Sequence, residues 1–224
     1  GARARRVHDH AMPGVDVALV AWPEREAQLV AVQRDLAAAI LAKLCVVPTT
    51  GVELQVTLDN QLVGHAFPSG VTHSRRAWVE VVAWSGEEVV YQSGVVAPGA
   101  VVGAAKDDPD LWVLRSRFFA ADGVETDLVW DAASVESELL PPTVTLDSTD
   151  PRYYHAVSRT YAVAVQPDRV TVAVHLQPIG LDILDALIAS GDLDPSVRDA
   201  MPTFTLTGAS HEWRRDRDGW GCAP

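Results

Sequence analysis

The stretch VELQVTLDN, residues 52–60, alternates strictly between apolar and polar side chains. Val52, Leu54, Val56 and Leu58 fall on one side, and Glu53, Gln55, Thr57 and Asp59 on the other. Successive side chains of a strand point to opposite faces, so this pattern specifies a strand with one face in a core and one in water. Half-buried strands are the currency of antiparallel sandwiches, and the rest of the chain reads the same way.

RAWVEVVAW (76–84) alternates less strictly, with Trp78, Glu80, Val82 and Trp84 on one face. The SGEE turn then leads into VVYQSG (89–94) as a hairpin partner. ILAKLCVV is β-branched and apolar and stops at Pro48, which predicts a strand. Further strands are expected near 111–120 and 124–130, joined across Asp122-Gly123. YAVAVQ (161–166) and RVTVAVHLQ (169–177) flank a Pro-Asp turn and read as another hairpin, and TFTLTG (203–208) as the last strand. The tail SHEWRRDRDGWGCAP reads as a polar wrap over the surface.

Helical signals are few. Pro23 and acidic residues open a helix over about 24–36, with Leu29, Val32 and Leu36 at helical spacing. LDILDALIAS (181–190) ends at Gly191, and PSVRDAM (195–201) starts from Asp194 as cap and Pro195 at the first position. The expected architecture is mostly β: an extended N-terminal arm over 1–22, then one antiparallel β-sandwich domain over 23–224 with a helical insert at about 181–201.

With 48% apolar residues the chain can build a core. A net charge of −12 argues against nucleic acid and against anionic membrane surfaces. No apolar run reaches the roughly 18 residues of a membrane span, since Leu36 to Val47 is short and broken by Lys43. The basic, polar N-terminus GARARRVHDHAMPG lacks an apolar signal core, so either a signal has been removed or the chain is a piece of a longer polypeptide. Cys45 and Cys222 either pair, closing most of the chain into one loop, or remain two buried thiols.

The most informative segment is NQLVGHAFPSGVTHSRRAWVEVVAW, Asn60 to Trp84. Gly64 and Gly70 permit backbone angles that other residues resist, and Pro68 stiffens the bend. His65 therefore sits in a rigid connection between two strands, where an imidazole can ligate metal or hydrogen-bond the loop to itself. The surroundings favour the second role, with both ring nitrogens engaged by protein groups or ordered water. Arg76, beside this turn, is expected to be pinned by a carboxylate or by carbonyls near 64–70.

These residues carry a resemblance. Asn60, Gly64-His65, Pro68-Ser69-Gly70, Arg76, Trp78-Val79-Glu80-Val81 and Ser93-Gly94 resemble the haem-free β-sandwich domain found C-terminal to the haem region of multihaem c-type cytochromes of the cytochrome c554-like kind. Ser69 stands where that family usually has Thr. Looser likenesses are Asp150-Pro151-Arg152 in DSTDPRYYHAVSRTY, the VTVAVHL run at 170–176, and HDHAMPGVDVALV, which is similar to the link after the last haem motif. The resemblance implies an exported protein, periplasmic or extracellular, with a haem-bearing domain or subunit as partner. It also implies that His10 or His8 can serve as distal ligand to a haem held elsewhere. Covalent c-type haem needs CxxCH, and neither cysteine lies in one. The chain is then the haem-free portion of a longer cytochrome or a stand-alone relative.

Two further readings stay open beside it. His8 and His10, two apart on an extended arm, could join His65 and His73 to hold copper, or another transition metal such as zinc, in a stand-alone exported metal binder. A sandwich with seven tryptophans could be a sugar-binding or scaffold module, although Trp78 and Trp84 read as core. His155 reads as a packed loop residue and His175 as surface. Asp107, Asp108 and Asp110 read as a solvated acidic turn rather than a calcium site. No GxSxG or HExxH is present, and nothing else in the sequence marks the chain as an enzyme.

Overall fold

The computed structural model describes residues 14–103 and 108–222. After an irregular segment, α1 (Arg25–Leu36) leads into β1 (Leu41–Pro48), β2 (Val52–Asp59), β3 (Arg76–Ser85) and β4 (Glu88–Ser93). Next come β5 (Trp112–Leu114), β6 (Ser116–Phe119), β7 (Glu125–Thr126) and β8 (Ser134–Ser137), then β9 (Val157–Val163) and β10 (Arg169–Gln177). Helices α2 (Leu181–Ser190) and α3 (Pro195–Asp199) precede the long β11 (Phe204–Arg214), the short α4 (Arg215–Asp218) and β12 (Gly221–Cys222).

The fold is a mostly β, antiparallel sandwich. One sheet has the order β12-β1-β2-β9, and the other β11-β10-β3-β4 with β5 paired to β3. A small third sheet has the order β7-β6-β8. Val52, Leu54, Val56 and Leu58 are all within 1% of full burial, as their alternation requires. They meet Val79 and Val81 of β3, Val172, Val174 and Leu176 of β10, and Leu206 of β11 in one core. Helix α1 adds Val32 and Leu36 to that core. Its dipole is complemented by Glu26 in the first turn and Arg34 in the last.

The α2–α3 insert follows its local signals. Gly191 ends α2 in the left-handed conformation with φ of 86°, and the Asp194 carboxylate accepts from Ser196 N at 2.8 Å to start α3.

Three expectations are corrected. The 161–166 and 169–177 segments are not a hairpin: β9 pairs with β2, and β10 pairs with β3 and β11. Their Pro-Asp link carries the chain from one sheet to the other, and Asp168 N donates to Trp84 O at 2.8 Å. A turn sequence marks a reversal of direction without saying which strands will hydrogen-bond across it. The tail does not wrap the surface either. Strand β11 runs on to Arg214 through an irregularity opposite Val172–Val174, which returns Trp213 to the core at 0% exposure. The Trp213 indole then donates to Gly219 O at 2.8 Å, closing the tail over itself. The strand expected at 124–130 shrinks to Glu125–Thr126, with a single 3₁₀ turn over Val129–Asp131.

Cys45 and Cys222 form a disulfide across the β1–β12 pair, where they stand directly opposite each other. The bond spans 177 residues of sequence. Restricting so long a loop in the unfolded chain stabilises the fold by at most about 5 kcal/mol in the chain-entropy picture. The double variant C45A/C222A should lose about 2–5 kcal/mol in urea unfolding; an unchanged midpoint would show that the tail contributes nothing to global stability.

Candidate functional site

The loop after β2 is fixed by Asn60. Its side chain is buried and donates from Nδ2 to His65 O at 2.8 Å and to Leu140 O at 3.4 Å, while Oδ1 accepts from Val63 N at 3.3 Å. Phe67 and Leu140 exchange both backbone hydrogen bonds at 2.9 Å. These contacts satisfy backbone groups that lie outside any sheet ladder. Pro68 follows a cis peptide bond and is buried. Gly70 has φ of 81°, and a Cβ there would stand 2.7 Å from Arg75 Nη2, so the position excludes a side chain on two grounds. Gly64 has no such requirement: its φ is not positive and its surroundings are open.

Arg75 and Arg76 are both buried and point their charges at different parts of the chain. Arg76 Nη1 donates to His73 O at 2.7 Å and Arg75 O at 3.1 Å, and Nη2 pairs with Asp182 in the first turn of α2. The carboxylate was expected; the carbonyls belong to residues 73 and 75 rather than 64–70. The loop itself is held by Arg75, which the sequence reading passed over. Arg75 Nε donates to Ser69 O at 2.5 Å and Nη1 to Pro178 O at 3.1 Å. Its two Nη groups bind both oxygens of Asp16 at 2.9 Å each, a bidentate pair. Asp16 belongs to the arm root, which is tied down again by Ala18 N donating to Gln28 Oε1 at 3.0 Å and Arg25 Nε donating to Ala18 O at 2.9 Å.

Trp78 donates from its indole to Gly94 O at 3.0 Å. It is 3% exposed but lies outside the central core, on the outer face of β3, with its ring 5.2 Å from that of His175. Trp84 is half-buried under the Arg169 guanidinium, 3.8 Å above its ring. The inner face of β3 is the odd-numbered set Ala77, Val79, Val81 and Ala83, small residues whose size hid the preference. Trp130, by contrast, is 80% exposed on its 3₁₀ turn.

The histidines divide. His155 is packed as expected: Nδ1 contacts Tyr153 O at 2.9 Å, and Nε2 lies 3.0 Å from Asp59 Oδ1. His175 is not plain surface; it is largely covered, with Nδ1 3.0 Å from Thr205 Oγ1 and the ring against Trp78. His73 packs its ring 4.6 Å from that of Phe118, and burial lowers its pKa. At His65, Nδ1 lies 3.1 Å from Ala66 O, the side chain is exposed, and Nε2 has no protein partner among the described residues. His8 and His10 lie outside the described residues. Among the described residues, no three His, Cys, Asp or Glu side chains gather into a group that could hold a metal ion.

The acidic turn has a structural job. Asp108 accepts from Ser93 Oγ at 2.9 Å and from Gly94 N at 2.6 Å, and Asp110 accepts from Tyr91 OH at 2.8 Å. Asp107 lies outside the described residues.

A cavity of about 290 Å³ opens between the arm root, α1 and the 63–69 loop. Apolar Val15, Leu36, Val63 and Phe67 line it, with Asp35, His65 and Arg75 as its ionisable groups.

No known protein-family description matches the sequence, and no curated protein shows significant similarity to it. Among solved structures, the chain is similar to a penta-heme cytochrome c552 from Thermochromatium tepidum, with a TM-score of 0.56 and 16% identity. The likeness covers 81% of this chain but only 41% of the cytochrome. It establishes a shared fold with part of a multihaem cytochrome. No helix of the described residues is long and apolar enough to cross a membrane.

Two expectations follow. Arg75→Ala removes hydrogen bonds to a carboxylate and to two carbonyls that have few other partners, so it should cost about 3 kcal/mol in chemical denaturation. Asp16→Ala should cost a large part of the same amount; a neutral Arg75→Ala would overturn the role of this hub. Burial, together with the hydrogen bond to Asp110, pushes the Tyr91 hydroxyl above the usual tyrosine range, and burial does the same to Tyr161. The folded chain thus holds these protons more tightly than the unfolded chain. Stability should be intact below about pH 10 and fall as pH rises beyond it. Tyr91→Phe should flatten that alkaline loss in pH-dependent melting curves.

Proposed function

We propose that this chain is the haem-free β-sandwich portion of an exported multihaem electron-transfer protein, packed against a haem-bearing domain or subunit. The observation that carries the reading is the shared fold with part of a penta-heme cytochrome over 81% of the chain. The GHAFPSG…RRAW segment supports it, because its residues form one connected hub rather than a scattered set. The Cys45–Cys222 disulfide supports export, since such bonds persist in oxidising compartments.

In this reading His10 or His8 would help hold a haem carried by the partner, and that haem would supply one-electron transfer. Asp16, locked to Arg75, fixes the point from which the arm departs. The acidic body, with its net charge of −12, sets the sign of the surface a redox partner meets. The copper alternative gains no support from the described residues, where His65 and His73 belong to no ligand cluster.

The test is to read the natural coding sequence around this chain and to purify the native product from its host. CxxCH motifs in the same polypeptide, or in a tightly co-purifying subunit, are the expected result. A product that is encoded alone and emerges with neither covalent haem nor a haem-bearing partner would overturn the proposal.

A further inference from the structure

We infer that His65 is a haem-facing ligand: its Nε2 is the atom that the folded body of this domain offers to the iron of a haem in the partner. The inference rests on the reading above, that a haem-bearing part packs against this chain.

The first ground is the ring itself. Nδ1 lies 3.1 Å from the Ala66 carbonyl. A carbonyl can only accept, so Nδ1 carries the proton and donates it. The lone pair of the neutral ring is then on Nε2, the atom with no protein partner among the described residues. A ligating imidazole characteristically holds its other ring N–H on a carbonyl or carboxylate, which fixes both tautomer and orientation.

The second ground is the rigidity of the loop. The His65 carbonyl accepts from the buried Asn60 at 2.8 Å, and two residues on Phe67 is locked to Leu140. An exposed side chain on a backbone so restrained loses little further freedom when it binds.

The third ground is position. His65 stands on the wall of the 290 Å³ cavity, beside Val15 and Gly14, where the arm meets the body. A volume at the low end for ligand pockets fits the edge of a large planar group rather than the whole of it. The apolar wall of Val15, Leu36, Val63 and Phe67 suits a porphyrin edge. Ligation displaces water from the iron and leaves its oxidation state unchanged.

The probe is a ferric haem peptide cut from a c-type cytochrome, with its own proximal His and an open sixth position. It is titrated with the 224-residue chain and followed by the high-spin to low-spin change in absorbance. The wild-type chain is expected to give the low-spin spectrum, and H8A/H10A, which removes the arm donors, is expected still to reach it through His65. Adding His65→Ala should weaken binding about tenfold or more. The melting temperature should stay unchanged, because the exposed ring makes one local hydrogen bond. Equal titrations of H8A/H10A with and without His65→Ala would overturn the inference, as would a wild-type chain that gives no low-spin species. Binding lost in H8A/H10A but kept in His65→Ala would also overturn it, while leaving the accessory-domain reading intact.

Discussion

The buried guanidinium of Arg75 sets conditions that several separate parts of the chain must meet at once. Its side chain is 6% exposed, and a charge so far from water is tolerated only when it is paired and hydrogen-bonded. Four acceptors meet it: Ser69 O from the loop, Pro178 O from the approach to α2, and both oxygens of Asp16 from the arm root. Displacing either carbonyl leaves a donor unsatisfied in the interior, and displacing the more exposed Asp16 leaves the buried charge unpaired. Loop, helical insert and arm root therefore hold their relative places together. Arg76 repeats the logic one residue later through Asp182, so the start of β3 is anchored on both sides.

The sandwich itself follows from a simpler rule. A one-residue slip in β2 would turn Val52, Leu54, Val56 and Leu58 outward together, so its register is fixed by burial alone. That is why the strand was legible from local pattern. The same is true of α2 and α3, whose ends are written in Gly191 and Asp194. The partners of β9 and β10 were not legible, because a Pro-Asp turn serves a hairpin and a crossing between sheets equally well. The tail failed for another reason: its period-two signal is interrupted between Leu206 and His211, where β11 departs from even pairing with β10. Without knowledge of that irregularity, Trp213 looks like a stray aromatic among charges.

The candidate site was half legible. Asn60, Gly70, Pro68, Arg76 and Trp78 could be singled out by residue type and spacing, and the structure places them in one continuous stretch around the loop and the start of β3. Arg75 was passed over because adjacent arginines look interchangeable in sequence. Only the fold shows that each faces its own carboxylate. Glycine types also misled: Gly70 needs its conformation and its missing side chain, whereas Gly64 needs neither. The only signal that could have flagged Arg75 was the doublet itself, since two neighbouring buried cations require two separate acceptor sets.

His65 shows the difference between a rigid loop and a buried one. The many backbone contacts of residues 60–70 suggested an imidazole consumed in holding the loop. Asn60 does that work instead, bonding the carbonyl of His65 and leaving its ring outside. Stiff backbone beneath an exposed, oriented imidazole is the arrangement that lowers the ordering cost of a contact made later. The Gly-His-x-x-Pro-x-Gly spacing thus separates two tasks within seven residues. Pro68 and Gly70 shape the turn and admit Arg75, and His65 faces the cavity beside the arm. Any group seated there would meet a surface whose geometry is already set by Asn60 and Arg75 before contact is made.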